Sequence, residues 1–501
     1  MLFKKKKETK QHTPFPGQKA FASGKTVIHE LETAFCDLIT LDYSMTMQPV
    51  TNSTCRIERT EKSSDAINFA TAASATGLRT AIFSNSKKTA QLLDGLNNAV
   101  AKHLPVVFHI TSPNHAFLQQ VIDNGAIVFY ANDVQALADL SLIGRAAAER
   151  SLLPSIVLSD AQLQQSTQLY LQPEKELLHH FTGTSQDSIE APTPAQEMIF
   201  GKSRRRVPRM VDIDKPLAVL NDINSSFAAH ATAADFVFSA QHSESILLQC
   251  MTEFAQLTGR DYRASRTHAT GDAQHIVVAE GDVYHTICPV VDYLARKENL
   301  KCGVLHLNTF TTQALKDAAE KLAAVRTITV IENIQNTNTT QKPLTRLLQQ
   351  LLVEIHGKAG NFISAIDSGS AGKNSFAAYA AMVRNMALAS EPQKHFFIDA
   401  HFSQPELRLP KLEMLQQEVS RNYPDAEKRT VPLNATEKSM VVGKQIRIFA
   451  ETAFDDKEIA LLCAAFTSTG AGTMQAWQRK TAKSAELQFV FSSDENEPVD
   501  G

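Results

Sequence analysis

The side chains able to do chemistry are scattered. The six cysteines are Cys36, Cys55, Cys250, Cys288, Cys302 and Cys463, and no two form a C-x-x-C or other ligand-like spacing. A cubane cluster needs four thiolates, packed in the bacterial arrangement within about a dozen residues. No iron–sulfur cluster or zinc finger of its own is therefore expected, and the thiols read as reduced core residues. His103, His109, His115 and the pair His179-His180 lack a Glu-x-x-His companion, so they do not read as a metal site. His109 lies in an apolar stretch and is expected in the core. Ser468-Thr-Gly-Ala-Gly-Thr473 could hold an anion at a helix start, but a lone Gly-x-Gly without a lysine reads as a loop. Gly24-Lys25-Thr26 lacks the upstream glycine of a phosphate loop. No nucleophile-elbow motif is present.

The elements that must position these residues come from a chain of 501 residues, about three domains at roughly 150 residues each. Apolar residues are 43% and charged residues 21%, an ordinary folded composition that excludes bulk disorder. Lys+Arg is 50 against Asp+Glu 53, a net charge of −3, which demands neither nucleic acid nor an anionic membrane as partner. Trp477 is the sole tryptophan, so a multi-indole stacking platform is excluded. No apolar run approaches the ~20 residues of a membrane span. The start, Met-Leu-Phe-Lys-Lys-Lys-Lys, lacks an apolar signal region, and a cytoplasmic location is expected.

Residues 1–25 read as a basic flexible arm. From there strands alternate with helices: strands at 37–41, 79–83, 105–110, 126–130 and 154–158, and helices at 65–76, 89–102 and 134–150. This is an α/β pattern with a mainly parallel, buried sheet flanked by helices. The Pro-rich stretch 183–235, with its run Arg204-Arg-Arg206, reads as a linker with solvated arginines. A second unit at 236–340 has a helix at 246–257, strands at 274–279, 302–307 and 326–331, and helices at 284–297 and 312–324. A third α/β unit is expected over 341–501, with helices at 340–356, 374–389 and 456–467, strands at 445–449 and 486–491, and a polar, Pro-broken stretch at 403–438.

The second unit carries a resemblance. Phe254-Ala-Gln-Leu-Thr-Gly-Arg-Asp-Tyr262, Gly271-Asp-Ala-Gln-His-Ile-Val-Val-Ala279, the helix 286–294 and Cys302-Gly-Val-Leu-His-Leu307 resemble one module of the pyruvate:ferredoxin (flavodoxin) oxidoreductases. Met386 to Phe397 is similar to that family's Leu-Ala-x-x-Pro-Lys-Asn-His-Phe segment, and Lys444 to Phe449 falls where its gamma-type domain opens. Gly77 to Ser84 and Leu104 to Ile110 resemble its N-terminal pyrimidine-binding domain. The resemblance implies three consecutive modules: thiamine-diphosphate-fold-like at 26–182, transketolase-C-terminal-like at 236–340 and gamma-type at 341–501.

This sequence also departs from the family's pattern. The family's Tyr-Pro-Ile-Thr-Pro-Ser-type loop is replaced by Leu41-Asp-Tyr-Ser-Met-Thr-Met-Gln-Pro49. Thiamine chemistry needs a carboxylate against the pyrimidine ring. Glu61 and Asp65 are the candidates, and Lys62 falls nearest the slot; Arg56 and Arg59 lie beside them. Phe449 is followed by no glycine-rich turn, and the ferredoxin-like and diphosphate-binding domains are not in the sequence. Gly271-Asp272 with Asn299 mimics the spacing of a thiamine metal motif, but its third position is Ala273. A similar loss of thiamine residues marks the oxidoreductase-like N-terminal region of sulfite reductase flavoprotein subunits. The expectation is thus a catalytically degenerate protein, a pseudoenzyme acting as an assembly component of a redox complex. It would carry no cofactor or metal, and would form a homodimer or bind a flavin, haem or iron–sulfur protein across a face near 41–65 and 84–115. The alternative is a 2-oxoacid:ferredoxin (flavodoxin) oxidoreductase subunit lending the pyrimidine half of a site for thiamine diphosphate with Mg²⁺.

Overall fold

The computed structural model describes residues 13–211, 226–334, 342–367, 376–388, 392–398, 410–424, 431, 458, 461–462 and, as backbone, 445–450, 474–480 and 485–491, apart from 44, 46, 48–52, 112 and 166. Within 226–241 only the backbone is described.

The first unit runs β1 (Gln18–Ser23), α1 (Gly24–Phe35), β2 (Leu38–Asp42), β3 (Arg56–Thr60), α2 (Ser63–Ala75), β4 (Thr80–Asn85), α3 (Thr89–Ala101), β5 (Val107–Thr111), α4 (His115–Ile122), β6 (Ile127–Tyr130), α5 (Val134–Ser151), β7 (Ser155–Ser159), α6 (Ala161–Gln165), β8 (Thr167–Gln172) and α7 (Lys175–Phe181). Six of these strands form a sheet ordered β3-β2-β4-β5-β7-β6, every pair parallel. Near-continuous apolar strands such as 38–42 and 155–159 are buried along their whole length, as expected when helices cover both faces.

Helix α5 is the core of this unit. Sixteen of its 18 residues are buried, which fits its small and apolar composition all round. It packs on β7, α1 and α9 (Ser226–Thr258). Gly144 is required there, since a Cβ would lie 3.1 Å from the Phe129 ring and 3.2 Å from the Ser155 hydroxyl. From α9, Ile246, Leu247, Cys250, Met251 and Phe254 join the same core. The helix expected to open the second unit therefore packs on the first.

The expected arm and linker are corrected by the structure. Residues 18–23 form β1, which pairs antiparallel with β8 from Gln18↔Gln172 to Ser23↔Thr167. Ser23 Oγ caps α1 by accepting from the Thr26 N–H at 3.3 Å. Gly24 lets that helix start lie against α6: a Cβ would sit 2.6 Å from the Leu163 carbonyl oxygen. Residues 1–12 lie outside the described residues. In the expected linker, β9 (Ser188–Glu190), α8 (Pro194–Phe200) and β10 (Ser203–Arg205) are ordered. Arg204 and Arg206 are buried, at 4% and 8% exposure, rather than solvated. Arg204 donates to the Glu149 carbonyl at 2.7 Å and to those of Arg205 and Arg206 at 2.9 Å. Backbone acceptors thus replace water around this guanidinium.

The second unit contains β11 (Ser265–His268), β12 (His275–Val278), α10 (Val283–Glu298), β13 (Cys302–Leu307), α11 (Thr312–Ala323), β14 (Thr327–Asn333), α12 (Pro343–His356), β15 (Phe362–Asp367), α13 (Phe376–Met386) and β16 (His395–Phe397). Its sheet is ordered β11-β13-β12-β14-β15-β16, with only the edge strand β11 antiparallel. The boundary expected at 340 is corrected by this pairing. β15 aligns with β14 from Ile328↔Phe362 to Asn333↔Asp367, so residues 341–397 complete the second sheet. Helix α14 (Pro410–Asn422) occupies part of the stretch read as polar and irregular. Strands β17 (Gln445–Ala450), β18 (Met474–Lys480) and β19 (Ala485–Phe491) form an antiparallel sheet ordered β17-β19-β18, where a parallel unit was expected. The expected helix at 456–467 falls almost wholly outside the described residues, and 468–473 falls outside them entirely.

The two large units share an apolar cluster. Val128, Tyr130 and Leu158 of the first meet Ile276, Leu305, Leu307 and Phe310 of the second. An antiparallel bridge joins Phe129 to Thr309, and the Tyr130 N–H donates to the Asn308 carbonyl at 3.1 Å. Helix α4 packs on α12. At His115, which accepts from the Asn333 N–H, the edge of the face at 84–115 that was expected to await another protein meets this chain's own second unit. No described helix is long and apolar enough to cross a membrane.

Candidate functional site

The chain crosses back over β2 between β3 and β4, so the sheet order reverses between β2 and β4. In parallel α/β sheets, ligands bind in the crevice outside the carboxyl ends of strands at such a reversal. Asp42, the last residue of β2, and Asn85, the last of β4, border that crevice, with the N-terminus of α2 beside them.

Asp42 is buried, at 4% exposure, and accepts a hydrogen bond from the hydroxyl of Ser63, the first residue of α2. A carboxylate near a helix N-terminus is favoured by the helix dipole. Asn85 Oδ1 accepts from the Lys87 N–H at 2.9 Å, and its Nδ2 donates to Thr111 Oγ1 at 3.3 Å. Arg59 donates to the Met47 carbonyl at 2.6 Å, while Arg56 pairs with Glu58 at the surface. Glu61 and Asp65 are both exposed, Glu61 in the bend after β3 and Asp65 in the first turn of α2. The structure therefore brings Asp42, Ser63 and Asn85 to the crevice and leaves Glu61 and Asp65 in solvent. Parts of the loop at 41–49 lie outside the described residues. Asp272 is exposed and pairs with Lys301 at 2.9 Å, and Asn299 caps α10 with φ +53°. His179 and His180 belong to the last turn of α7.

On the other face of this sheet lies a buried ionic network. Glu32 of α1 binds Arg145 of α5 at 2.7 Å and His109 of β5 at 2.7 Å. The Cys36 thiol donates to Glu32 at 3.0 Å. All four side chains are at most about one-twentieth exposed. Burial alone would raise the Glu32 pKa, but Arg145 and His109 outweigh it and hold it at about 2. Burial pushes the Cys36 thiol well up, and the Cys55 thiol to about 12, so neither reads as a reactive nucleophile. Next to this network, Arg79 makes a bidentate pair with Glu149 at 2.6 and 2.9 Å and donates to the Thr182 and Gly183 carbonyls, both at 2.8 Å. Sequence reasoning placed His109 and Cys36 in the core but missed Glu32, Arg79, Arg145 and Glu149. The available signal was Asp139, Arg145 and Glu149 inside an otherwise small and apolar helix pattern, since such charges are buried only when paired.

A second polar cluster lies where the two sheets meet. Asp160 accepts from the Tyr130 hydroxyl at 2.9 Å and from the Asp282 N–H at 2.9 Å. His306 lies between Glu280, at 2.8 Å, and the Tyr130 carbonyl, at 3.0 Å. Asp133 caps α5 and binds Arg266 at 2.9 Å and His285 at 3.1 Å. Among the described residues, no group of three or more His, Cys, Asp or Glu side chains could hold a metal ion.

Two buried groups nearby set a pH dependence. His115 is held neutral: burial lowers its pKa to about 4, and its Nδ1 accepts from the Asn333 N–H at 2.9 Å. Burial raises Glu332 to about 7, although Thr345 and two amides at the start of α12 donate to it. The signs are opposite. His115 stabilises fully above pH ~6.5 and loses this as pH falls towards 4, whereas Glu332 stabilises fully below pH ~4.5 and loses this as pH rises through 7. A His115→Gln variant is expected to melt with a shallower loss between pH 6.5 and 4, the difference reaching about 3 kcal/mol at the acid end. Thermal unfolding of both proteins across that range checks it, and parallel slopes would count against the neutral buried histidine.

Comparison with known proteins finds similarity to pyruvate oxidoreductases. Residues 44–218 match the profile described as pyruvate flavodoxin/ferredoxin oxidoreductase, thiamine diP-binding. Pyruvate synthase subunit PorA of Pyrococcus abyssi is 25% identical over 289 residues, 55% of this chain and 67% of that one. Pyruvate-flavodoxin oxidoreductase of Nostoc sp. is 24% identical over 342 residues, 64% of this chain and 78% of that one. Pyruvate dehydrogenase [NADP(+)] of Cryptosporidium parvum is 20% identical over 370 residues, 69% of this chain but 18% of its own length. This chain thus spans about two-thirds of the archaeal subunit and under a fifth of the protozoan protein. Among solved structures, a 2-oxoglutarate:ferredoxin oxidoreductase from Magnetococcus marinus aligns with a TM-score of 0.49 at 15% identity, over 70% of this chain and 62% of that one. Residues 44–218 thus match the pyruvate flavodoxin/ferredoxin oxidoreductase thiamine diP-binding domain, and over about half to two-thirds of its length the chain is similar to pyruvate synthase and pyruvate-flavodoxin oxidoreductase chains.

Proposed function

We propose that this chain is a catalytically degenerate member of its family that works as an interaction or assembly component of a redox complex. The observation that carries this reading is the crevice between β2 and β4. Thiamine diphosphate needs a carboxylate free to meet its pyrimidine ring. The described residues do not fit that demand: Glu61 and Asp65 face solvent, Lys62 leads into α2, and Asp42 is committed to Ser63. The intact ionic core beneath supports a scaffold that keeps its fold without the chemistry. The names of the relatives, one of them a subunit, support a protein partner. The partner we favour is a flavin, haem or iron–sulfur protein, with sulfite reductase among those to test.

The complex purified from native cells tests the reading. Ligand binding to the folded state alone stabilises by about 2.7 kcal/mol at a hundredfold excess over Kd. With thiamine diphosphate and Mg²⁺, no shift in the melting of this chain is expected, and no thiamine is expected in the complex. A clear shift that disappears in Asp42→Asn would overturn the proposal. It would instead make this chain the pyrimidine half of a working 2-oxoacid oxidoreductase site.

A further inference from the structure

At the seam between the two sheets, one buried histidine is boxed in by acceptors. His306, near the end of β13, and Glu280, just past β12, both have fully buried side chains. The His306 Nε2 lies 3.0 Å from the Tyr130 carbonyl oxygen of the first unit. Its Nδ1 lies 2.8 Å from a Glu280 carboxylate oxygen and 3.3 Å from the Ala279 carbonyl, both in the second unit. A carbonyl only accepts. The Leu307 N–H lies 3.2 and 3.3 Å from the two Glu280 oxygens, which suits an ionised carboxylate. A neutral imidazole has a single N–H. Placed on Nε2, it leaves the Nδ1 lone pair against Glu280 and Ala279; placed on Nδ1, it leaves the Nε2 lone pair against Tyr130. Only a ring protonated on both nitrogens bonds its neighbours on both sides. We propose that His306 sits in the closed seam as an imidazolium that ties the second unit to the Tyr130 carbonyl of the first, and that losing this proton loosens the seam. The inference concerns the join between the two units and does not rest on the fate of the cofactor crevice.

The other titratable and charged groups around the ring come from β6, α10, β11 and the turn after β7. The Tyr130 ring of β6 lies 6.3 Å from the His306 ring, and the Tyr284 ring of α10 lies 5.7 Å from it, centroid to centroid. Arg266 of β11 is the cross-strand neighbour of His306, and its charge is engaged with Asp133 at 2.9 Å. His285 of α10 also turns to Asp133, at 3.1 Å. Asp160, in the turn after β7, is an acid within electrostatic reach of His306; it accepts from the Tyr130 hydroxyl and from the Asp282 N–H, both at 2.9 Å. Burial opposes a charge on the ring, and the Glu280 carboxylate in direct contact offsets that cost. Opening the seam would take the Tyr130 carbonyl away from the ring and let water in, so the second proton is held more tightly in the closed state. The tie is therefore complete at low pH and weakens as pH rises through the release of that proton.

Amide hydrogen exchange of the full chain between pH ~5 and ~9 tests the proposal, a range that spans histidine titration. Peptides covering 126–132 and 303–309 contain the Tyr130 amide, bonded to the Asn308 carbonyl, and the Leu307 amide, bonded to Glu280. After correction for intrinsic rates, their protection is expected to fall with rising pH, by up to about tenfold per pH unit as one proton leaves. Glu280→Gln is the discriminating variant. Its amide can donate to Nδ1 of a neutral ring while its oxygen still accepts from Leu307, so the second proton is no longer needed. Its seam should stay protected across the whole range, with Arg266, His285 and Asp133 untouched. His306→Gln keeps one donor and no titrating proton, and its seam should exchange faster than wild type at low pH and vary little with pH. Wild-type protection that is flat with pH, or that falls equally across the whole chain, overturns the tie. So does a pH dependence in Glu280→Gln equal to that of wild type, or a Glu280→Gln seam unprotected at every pH. If neither variant folds, the wild-type titration decides alone: loss confined to the two seam peptides supports the tie, and any other pattern overturns it.

Discussion

A Glu32→Ala variant is expected to lose roughly 3–5 kcal/mol of stability, the usual cost of removing one partner from a buried ion pair. The reason lies in what remains. Arg145 is fully buried and would lose its hydrogen-bonded carboxylate, keeping the Thr80 carbonyl at 2.8 Å, the Cys36 sulfur at 3.2 Å and the Phe35 ring at 5.5 Å beside it. His109 and Cys36 would lose a partner in the same step. For a unit of this size the fall in Tm should be on the order of 10 °C. Removing both charges together, Glu32→Leu with Arg145→Met, should cost much less than the two single changes summed, because apolar residues of similar volume tolerate such a site. Thermal or urea unfolding of the four proteins closes this double-mutant cycle. Additive losses would mean that the pair does not act as a unit.

The second large effect is expected at Gly281. Its φ is +68°, and a Cβ placed there would lie 1.8 Å from Asp160 Oδ2 and 3.1 Å from a Tyr130 ring carbon. Gly281→Ala therefore combines about 1–3 kcal/mol of backbone strain with about 1–3 kcal/mol of overpacking. A total loss of roughly 2–6 kcal/mol is expected on melting. A control at Gly357, also at φ +68° but with nothing within 4 Å of where a Cβ would lie, should lose only the backbone part. Equal losses at the two glycines would show that the seam does not press on residue 281.

Local sequence signals located most of the first two sheets. The strand read at 302–307 is β13 to the residue, and those read at 79–83 and 154–158 lie within one or two residues of β4 and β7. Apolar runs of five or six residues between helical patterns have few alternatives to buried parallel strands. β1, β3 and β8 were missed for the converse reason. Edge strands such as Arg56-Ile-Glu-Arg-Thr60 are half exposed, and their polar alternation resembles a loop. The family resemblance was also legible, because its motifs are contiguous in the chain.

The sequence by itself determined the α/β class, the scattered cysteines and the resemblance to the pyruvate:ferredoxin oxidoreductases, since each is written in local pattern or composition. Only the tertiary structure decided which charges are buried. Glu32 and Arg145 are 113 residues apart, and Arg79 and Glu149 are 70 apart. No local periodicity encodes such pairs, because they form only where helix faces and strand ends from distant segments close on each other. The same holds for Arg204 and Arg206. Their sequence is that of a solvated run, yet the folded chain surrounds the Arg204 guanidinium with carbonyl oxygens and sets Arg206 3.9 Å from the Glu149 carboxylate, which partly offset the loss of water.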